Sequence, residues 1–274
     1  MGIVNVTPDS FSDGGEFLEA DAAVAHGERL AGEGASVLDI GGESTRPGAE
    51  PVPADEELRR VIPVIERLAV AERGAWLSVD TTKLDVARAA LDAGARIVND
   101  VSAFRFAADL AGLVAEREAH CVLMHMLGEP RTMQADPRYD DVVDDVKAFL
   151  SERLAFAVAE GVSEDRVWLD PGIGFGKTPK QNLELIGTLD RMVEASQGVP
   201  IMVGASRKSF IGKLLGDVPT DDRFAGSLAA ATIAIWNGAS ILRVHDVKAT
   251  VEILKTVDAI RSAIKSGDLV MSTA

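Results

Sequence analysis

Two cations, Arg207 and Lys208, follow closely on the apolar run Ile201 to Val203, and Gly204 leaves room there for another group to approach. A lone Arg-Lys pair is more often a solvated turn. Here, however, a polar residue at the end of a short apolar run recurs along the chain, at Asn5, Asp80, Asn99 with Asp100, His125, Asp170, and Arg243 with His245. Asp80, Asn99 and Asp170 offer acceptors and an amide suited to a flat, donor-rich heterocycle. Arg243, His245 and the Thr45 hydroxyl suit an anion. Asn5 adds a neutral oxygen that fits Mg²⁺, an ion that takes few protein ligands and completes its shell with water and phosphate oxygens. A diphosphate ester of a heterocycle is a chemically sensible ligand, although residue types alone do not name which one.

The elements that must position these residues read as short aliphatic strands alternating with amphipathic helices. Strands are predicted at Ile3 to Val6, Ser36 to Ile40, Ala75 to Val79, Arg96 to Val98, Cys121 to Met124, Val167 to Leu169, Ile201 to Val203 and Ser240 to Val244. Helical spacing puts Leu58, Val61, Ile62 and Ile65 on one face, and likewise Val142, Val146, Phe149 and Leu150, and Ile253, Val257, Ile260 and Ile264. The pairs Gly34-Ala35, Gly94-Ala95 and Gly238-Ala239 each close a helix before a strand. Eight strand-helix repeats predict a single α/β domain spanning residues 1–274, a closed parallel (β/α)8 or TIM barrel, with a doubly wound open sheet as the alternative. In such a barrel all strand C-termini open on one face, so the polar residues above meet there, and a phosphate site commonly lies near strands seven and eight. Two long polar loops, Asn5 to Gly15 and Gly41 to Gly48, leave that face and suit lids.

Lys and Arg total 28 against 43 for Asp and Glu in 274 residues, and the net charge of −15 argues against nucleic acid or an anionic membrane as partner. No apolar run approaches a membrane span, no secretory signal opens the sequence, and Cys121 stands alone, so a cytoplasmic address is expected.

The motifs Met1 to Gly15, Gly41 to Gly48, Ser78 to Thr81, Asn99 to Val101, Leu123 to Met126, Leu169 to Gly176, Gly204 to Gly212 and Arg243 to Asp246 resemble those of the dihydropteroate synthase family, in that family's order. The resemblance implies a usually homodimeric (β/α)8 barrel that joins 6-hydroxymethyl-7,8-dihydropterin pyrophosphate to 4-aminobenzoate, giving 7,8-dihydropteroate and pyrophosphate in folate synthesis. It also implies site roles. Asp80, Asn99, Asp170 and Lys208 would hold the pterin, Asn5 would help bind Mg²⁺, and Arg243, His245 and Thr45 would take the pyrophosphate. Arg46, Pro47, Phe175 and Ser209 would shape the aminobenzoate pocket, for which sulfonamides would compete. Asp13 would stabilise a cationic pterin intermediate once its loop closes, and Lys208 would bridge the two pockets. Family members usually carry a short segment ahead of the first strand, whereas Met1 is already the first motif residue in the sequence given.

Several residues admit plainer readings. His125, between Met124 and Met126, reads as a core histidine and is left out of the site. Asp100 and Asp246 read as caps, and Phe104 and Phe106 as helix packing. Gly172 to Gly176 lacks both the Rossmann spacing and the Walker ending, and its glycines are expected to let backbone approach a flat ligand. Rival functions are a pterin-binding methyltransferase domain, which needs no pyrophosphate site, and a pterin carrier or inactive paralogue.

Overall fold

The computed structural model describes residues 1–6, 16–45, 48–71 and 74–266. Strand and helix alternate: β1 (Gly2–Asn5), α1 (Glu16–Gly32), β2 (Val37–Gly41), α2 (Ala54–Val70), β3 (Trp76–Asp80), α3 (Leu84–Asp92), β4 (Ile97–Asp100), α4 (Asp109–Glu116), β5 (His120–Met124), α5 (Val142–Ala159) and β6 (Val167–Asp170). Then come α6 (Pro179–Gly187), α7 (Leu189–Ala195), β7 (Met202–Val203), α8 (Ser209–Leu214), α9 (Phe224–Trp236), β8 (Ile241–Leu242) and α10 (Val247–Ser266). The helix ends follow from the Gly-Ala pairs. Gly34, Gly94 and Gly238 all have positive φ, and in each case the following alanine N–H bonds the carbonyl five residues back (Ala35 to Leu30, Ala95 to Ala90, Ala239 to Ala234). This closure satisfies the last helical carbonyls and turns the chain into the next strand.

Strands β1 to β6 pair in sequence order, all parallel, and β7 pairs with β8. The two ladders meet at two seams, each carried by a single parallel bridge, Leu169 to Ile201 and Gly2 to Val244. An eight-stranded ring is therefore present in outline, while continuous ladders cover six strands and two. The eighth strand is shorter than its apolar run predicts. At β7 the cause is local: Pro200 precedes the strand without an N–H to donate, and Gly204 follows it.

Inside the ring, Val37, Ile97, Val122 and Met202 form a buried cluster, with Met1, Trp168 and Ile241 packed against it. Side chains two residues apart on a strand share a face. Moving two residues toward the C-terminal ends, Val37 gives way to Asp39, Ile97 to Asn99, Trp168 to Asp170, and Ile241 to Arg243. An apolar plug thus lies under a polar layer. A separate, larger core sits between strands and helices, where Val61 and Ile65 of α2 and Val142, Val146 and Leu150 of α5 are buried. The predicted face of α10 holds at Val257, but Ile260 and Ile264 are 44% and 51% exposed. The end of α10 runs beside α9, with Arg261 donating to the carbonyls of Ile235 and Trp236, rather than over the sheet. No helix among the described residues is long and apolar enough to cross a membrane.

Candidate active site

Strand register builds the mouth. Asn5 pairs with Gly41, Gly41 with Asp80, and Asp80 with Asn99, so residues from four strands stand in one row. Arg243, arriving from the exit of β8, donates from Nε to Asp39 Oδ2 at 2.6 Å and from Nη2 to Asp80 Oδ2 at 2.7 Å. Asn99 Nδ2 donates to the same Asp39 oxygen at 2.9 Å. Arg243 therefore stands directly against the acids, one guanidinium clamped between two carboxylates. Asp39, which sequence reading missed, is fully buried. Its signal was a single carboxylate inside the apolar strand Val37 to Gly41.

One cation for two buried carboxylates leaves an excess of negative charge. Burial pushes the Asp80 carboxyl up to about 7 against the pull of Arg243, and Asp39, Glu57 and Asp100 add to the rise. Burial likewise raises Asp170, opposed by Lys208. Asp39 Oδ1, Ser78 Oγ and Asn99 Oδ1 are buried without a hydrogen-bond partner among the described residues. Unsatisfied buried acceptors are costly, and Asp39 Oδ1 and Asn99 Oδ1 suit a ligand that brings donors, whereas Ser78 lies level with Ile97 of the plug.

Asp170 accepts the Gly172 N–H at 2.7 Å and so ties the end of β6 to the glycine loop. Lys208 Nζ crosses to that loop, donating to the Ile173 carbonyl and lying 4.5 Å from the Phe175 ring centre. Burial pulls the Lys208 ammonium down to about 8, with Asp170 opposing and Arg243 assisting. The loop's glycines are required by contacts within the protein itself. A Cβ on Gly172 would sit 1.8 Å from the His125 carbonyl oxygen, one on Gly176 would sit 2.5 Å from Leu127 Cβ, and one on Gly174 would sit 2.9 Å from Lys208 Cδ. Their close approach is to the protein's own chain.

Arg207 and Lys208 part company at the exit of β7. Arg207 adopts a left-handed φ of 58° and pairs with Asp246 through Nε at 3.0 Å and Nη2 at 2.6 Å. Its N–H reaches Ser227 Oγ at 2.8 Å, and Arg223 holds its carbonyl at 3.0 Å. These contacts hold a strained residue that aims Lys208 into the mouth. Asp246, expected as a cap, thus has its carboxylate in an ion pair. His245 is partly buried, with Nδ1 3.0 Å from Ser206 Oγ. Ser209 is exposed at the start of α8.

Thr45 is partly buried at the second loop, whose root is braced from below. Lys83 Nζ donates to both Glu43 and the buried Glu57, and Arg60 Nη1 holds the Gly42 carbonyl at 2.8 Å. Asp13, Arg46 and Pro47 lie outside the described residues. Asn5 is partly buried, and its side chain makes no hydrogen bond among the described residues. Among them no cluster of three or more His, Cys, Asp or Glu could hold a metal, so a cation at Asn5 would take most of its shell from substrate and water, as Mg²⁺ does.

His125 and Asp100 have structural roles. His125 is 5% exposed and packs edge-on against Phe149. Asp100 accepts the N–H groups of Ser102 and Phe104, both at 2.7 Å, and Phe104 is buried in the main core. A cavity of about 320 Å³, lined by Trp76, Arg96, Arg117, His120 and Arg166, lies at the opposite end of the strands and includes none of the residues above.

A parallel barrel whose mouth holds unsatisfied acceptors beside cations is a receptor for a flat ring carrying an anion. A family profile described as pterin binding enzyme matches residues 1–245 and gives that class its name. The dihydropteroate synthase of Escherichia coli strain K12 is 47% identical over 264 residues, covering 96% of this chain and 92% of that protein. The structure of Xanthomonas albilineans dihydropteroate synthase with 4-aminobenzoic acid superposes with a TM-score of 0.89 at 52% identity, covering 95% of this chain and 92% of that one. The same organism's enzyme in complex with 7,8-dihydropteroate gives 0.84 at 50% identity, again over 95% and 92%. The chain belongs to the dihydropteroate synthase family.

Proposed function

We propose that this chain is a transferase that condenses 6-hydroxymethyl-7,8-dihydropterin pyrophosphate with 4-aminobenzoate, releasing pyrophosphate. The observation that carries the reading is the gathering of Asp80, Asn99, Asp170, Lys208 and Arg243 from five strand exits onto one mouth. Asp80, Asn99 and Asp170 accept from the pterin's ring N–H and amino groups. Arg243 Nη1, His245 and the Thr45 hydroxyl hold the leaving diphosphate, whose charge grows as the exocyclic C–O bond breaks. The exocyclic carbon becomes a cation conjugated to the ring, which the Asp13 carboxylate would stabilise, with water kept away. The aminobenzoate amine, seated among Arg46, Pro47, Phe175 and Ser209 with Lys208 between the two pockets, then attacks that carbon and loses a proton to the freed diphosphate or to water. Mg²⁺ at Asn5 would neutralise diphosphate charge when bound. Sulfonamides would compete with aminobenzoate.

A cytoplasmic address and a homodimer complete the reading. The buried free thiol of Cys121 supports the first. The exposed Ile233, Trp236, Ile260 and Ile264 on the packed pair α9 and α10 support the second. Pyrophosphate release, followed with and without 4-aminobenzoate, tests the function. Release that depends on the amine and matches dihydropteroate formed is expected. A chain that binds pterin yet releases nothing would be a carrier, and methyl transfer to a corrinoid would place it among the methyltransferase domains.

A further inference from the structure

Lys177 has no part in the site as described, yet it is 2% exposed and its side-chain nitrogen is engaged with three partners. Nζ bonds His125 Nδ1 at 2.8 Å, the Gly172 carbonyl at 2.9 Å and the Phe175 carbonyl at 3.0 Å. An ammonium there donates to all three, whereas a neutral amine donates to the two carbonyls and accepts from a His125 ring protonated at Nδ1, so either form satisfies the same three contacts. Burial pulls Lys177 well below its ordinary value while Asp170 pulls the other way. The ring nitrogen of His125 facing an ammonium must be the acceptor, and burial together with Lys177 and Arg105 holds that histidine neutral, down to about 2.

The two carbonyls that Lys177 grips bracket the working part of the glycine loop. Between them lie Ile173, whose carbonyl accepts from Lys208, and Phe175 carries the ring against which Lys208 rests. Other buried or partly buried groups hold the remaining backbone: Asn182 Oδ1 accepts the Gly174 N–H at 2.6 Å, Gln134 Nε2 donates to the Gly174 carbonyl at 2.6 Å, and the Tyr139 hydroxyl donates to the Gly176 carbonyl at 2.7 Å. Lys177 ties the loop to His125 at the exit of β5, while Gln134 and Tyr139 reach it from further along the connection to α5.

We propose that Lys177, with His125 as its partner, is a positioning residue for the aminobenzoate subsite, fixing the loop so that the Phe175 ring and the Ile173 carbonyl meet Lys208. This rests on the reading that Phe175 lines that subsite. The test compares His125→Leu with His125→Asn. The two side chains are close in size and lose the same ring packing, but Asn Oδ1 falls where Nδ1 stood. His125→Leu should raise KM for aminobenzoate about tenfold, the cost of one charge-assisted hydrogen bond, with KM for the pterin substrate within about twofold. His125→Asn should bring KM for aminobenzoate back to within about threefold of the parent. Lys177→Met, which removes every donor, should reproduce the selective rise should the leucine variant fail to fold. Indistinguishable Leu and Asn variants, or equal losses for both substrates, would overturn the proposal. Phe175→Ala separates the two levels: if it leaves KM for aminobenzoate unchanged while His125→Leu raises it, the Phe175 assignment fails and the role of Lys177 stands.

Discussion

Burial moves two groups at the mouth toward each other on the pH scale, Asp80 up to about 7 and Lys208 down to about 8. The sign of each effect follows from its charge. A carboxyl raised to about 7 becomes an anionic acceptor only as pH rises through that value, and an ammonium lowered to about 8 loses its charge as pH rises further. Binding of a 7,8-dihydropterin without its diphosphate should therefore peak between these two values. Asp80→Asn should remove the acid limb and weaken binding by about tenfold to a hundredfold, the cost of a charge-assisted hydrogen bond. Lys208→Arg should remove the alkaline limb. Calorimetric titration across pH checks both, and a parent profile flat from pH 6 to 9 would contradict them. Asp80, Asn99 and Asp170 were legible in the sequence because each ends an apolar run on the parity that points inward. Asp39 was not, because its partner Arg243 lies 204 residues away and no local pattern joins them. Lys177 escaped notice because a lysine after a glycine-rich stretch reads as a solvated charge, and the histidine it faces lies 52 residues away.

At the level of elements, alternating apolar runs and helical faces placed all eight strands to within about two residues, and the Gly-Ala pairs marked three helix ends. What spacing could not reveal was a contact between backbones. The loop after β6 presses Gly172 against the His125 carbonyl at a φ of 67°, so both the conformation and the space exclude a side chain. Gly172→Ala should destabilise the protein by about 2 to 4 kcal/mol, through backbone strain and overpacking together. Thermal unfolding reads this directly, and a melting temperature within a degree of the parent would show that the loop relaxes. The seams beside β7 and β8 were equally hidden, since an apolar run reports burial and not how many ladder bonds its backbone finds.

For the whole molecule, composition argued against nucleic-acid and membrane partners, and strand-helix alternation pointed to the parallel α/β ring, whose ladders run as six strands and two; the surface that a second copy would cover was foreshadowed only by apolar residues predicted to face inward. Trp236, with Ile260 and Ile264 exposed on the adjoining helix, is the natural probe. Trp236→Glu should shift the sedimenting species from twice the chain mass to the chain mass. A parent already at the chain mass would remove the homodimer from the reading. The uneven stitching of the ring has a mechanical sequel. Strands β1 to β6 are joined by continuous ladders, while the panel of β7 and β8 has one ladder bridge on each side and is tied across by side chains, Arg243 to Asp39 and Asp80 and Lys208 to the Ile173 carbonyl. The two cations of the mouth, Lys208 and Arg243, thus double as the stitches that hold this panel to the rest of the ring.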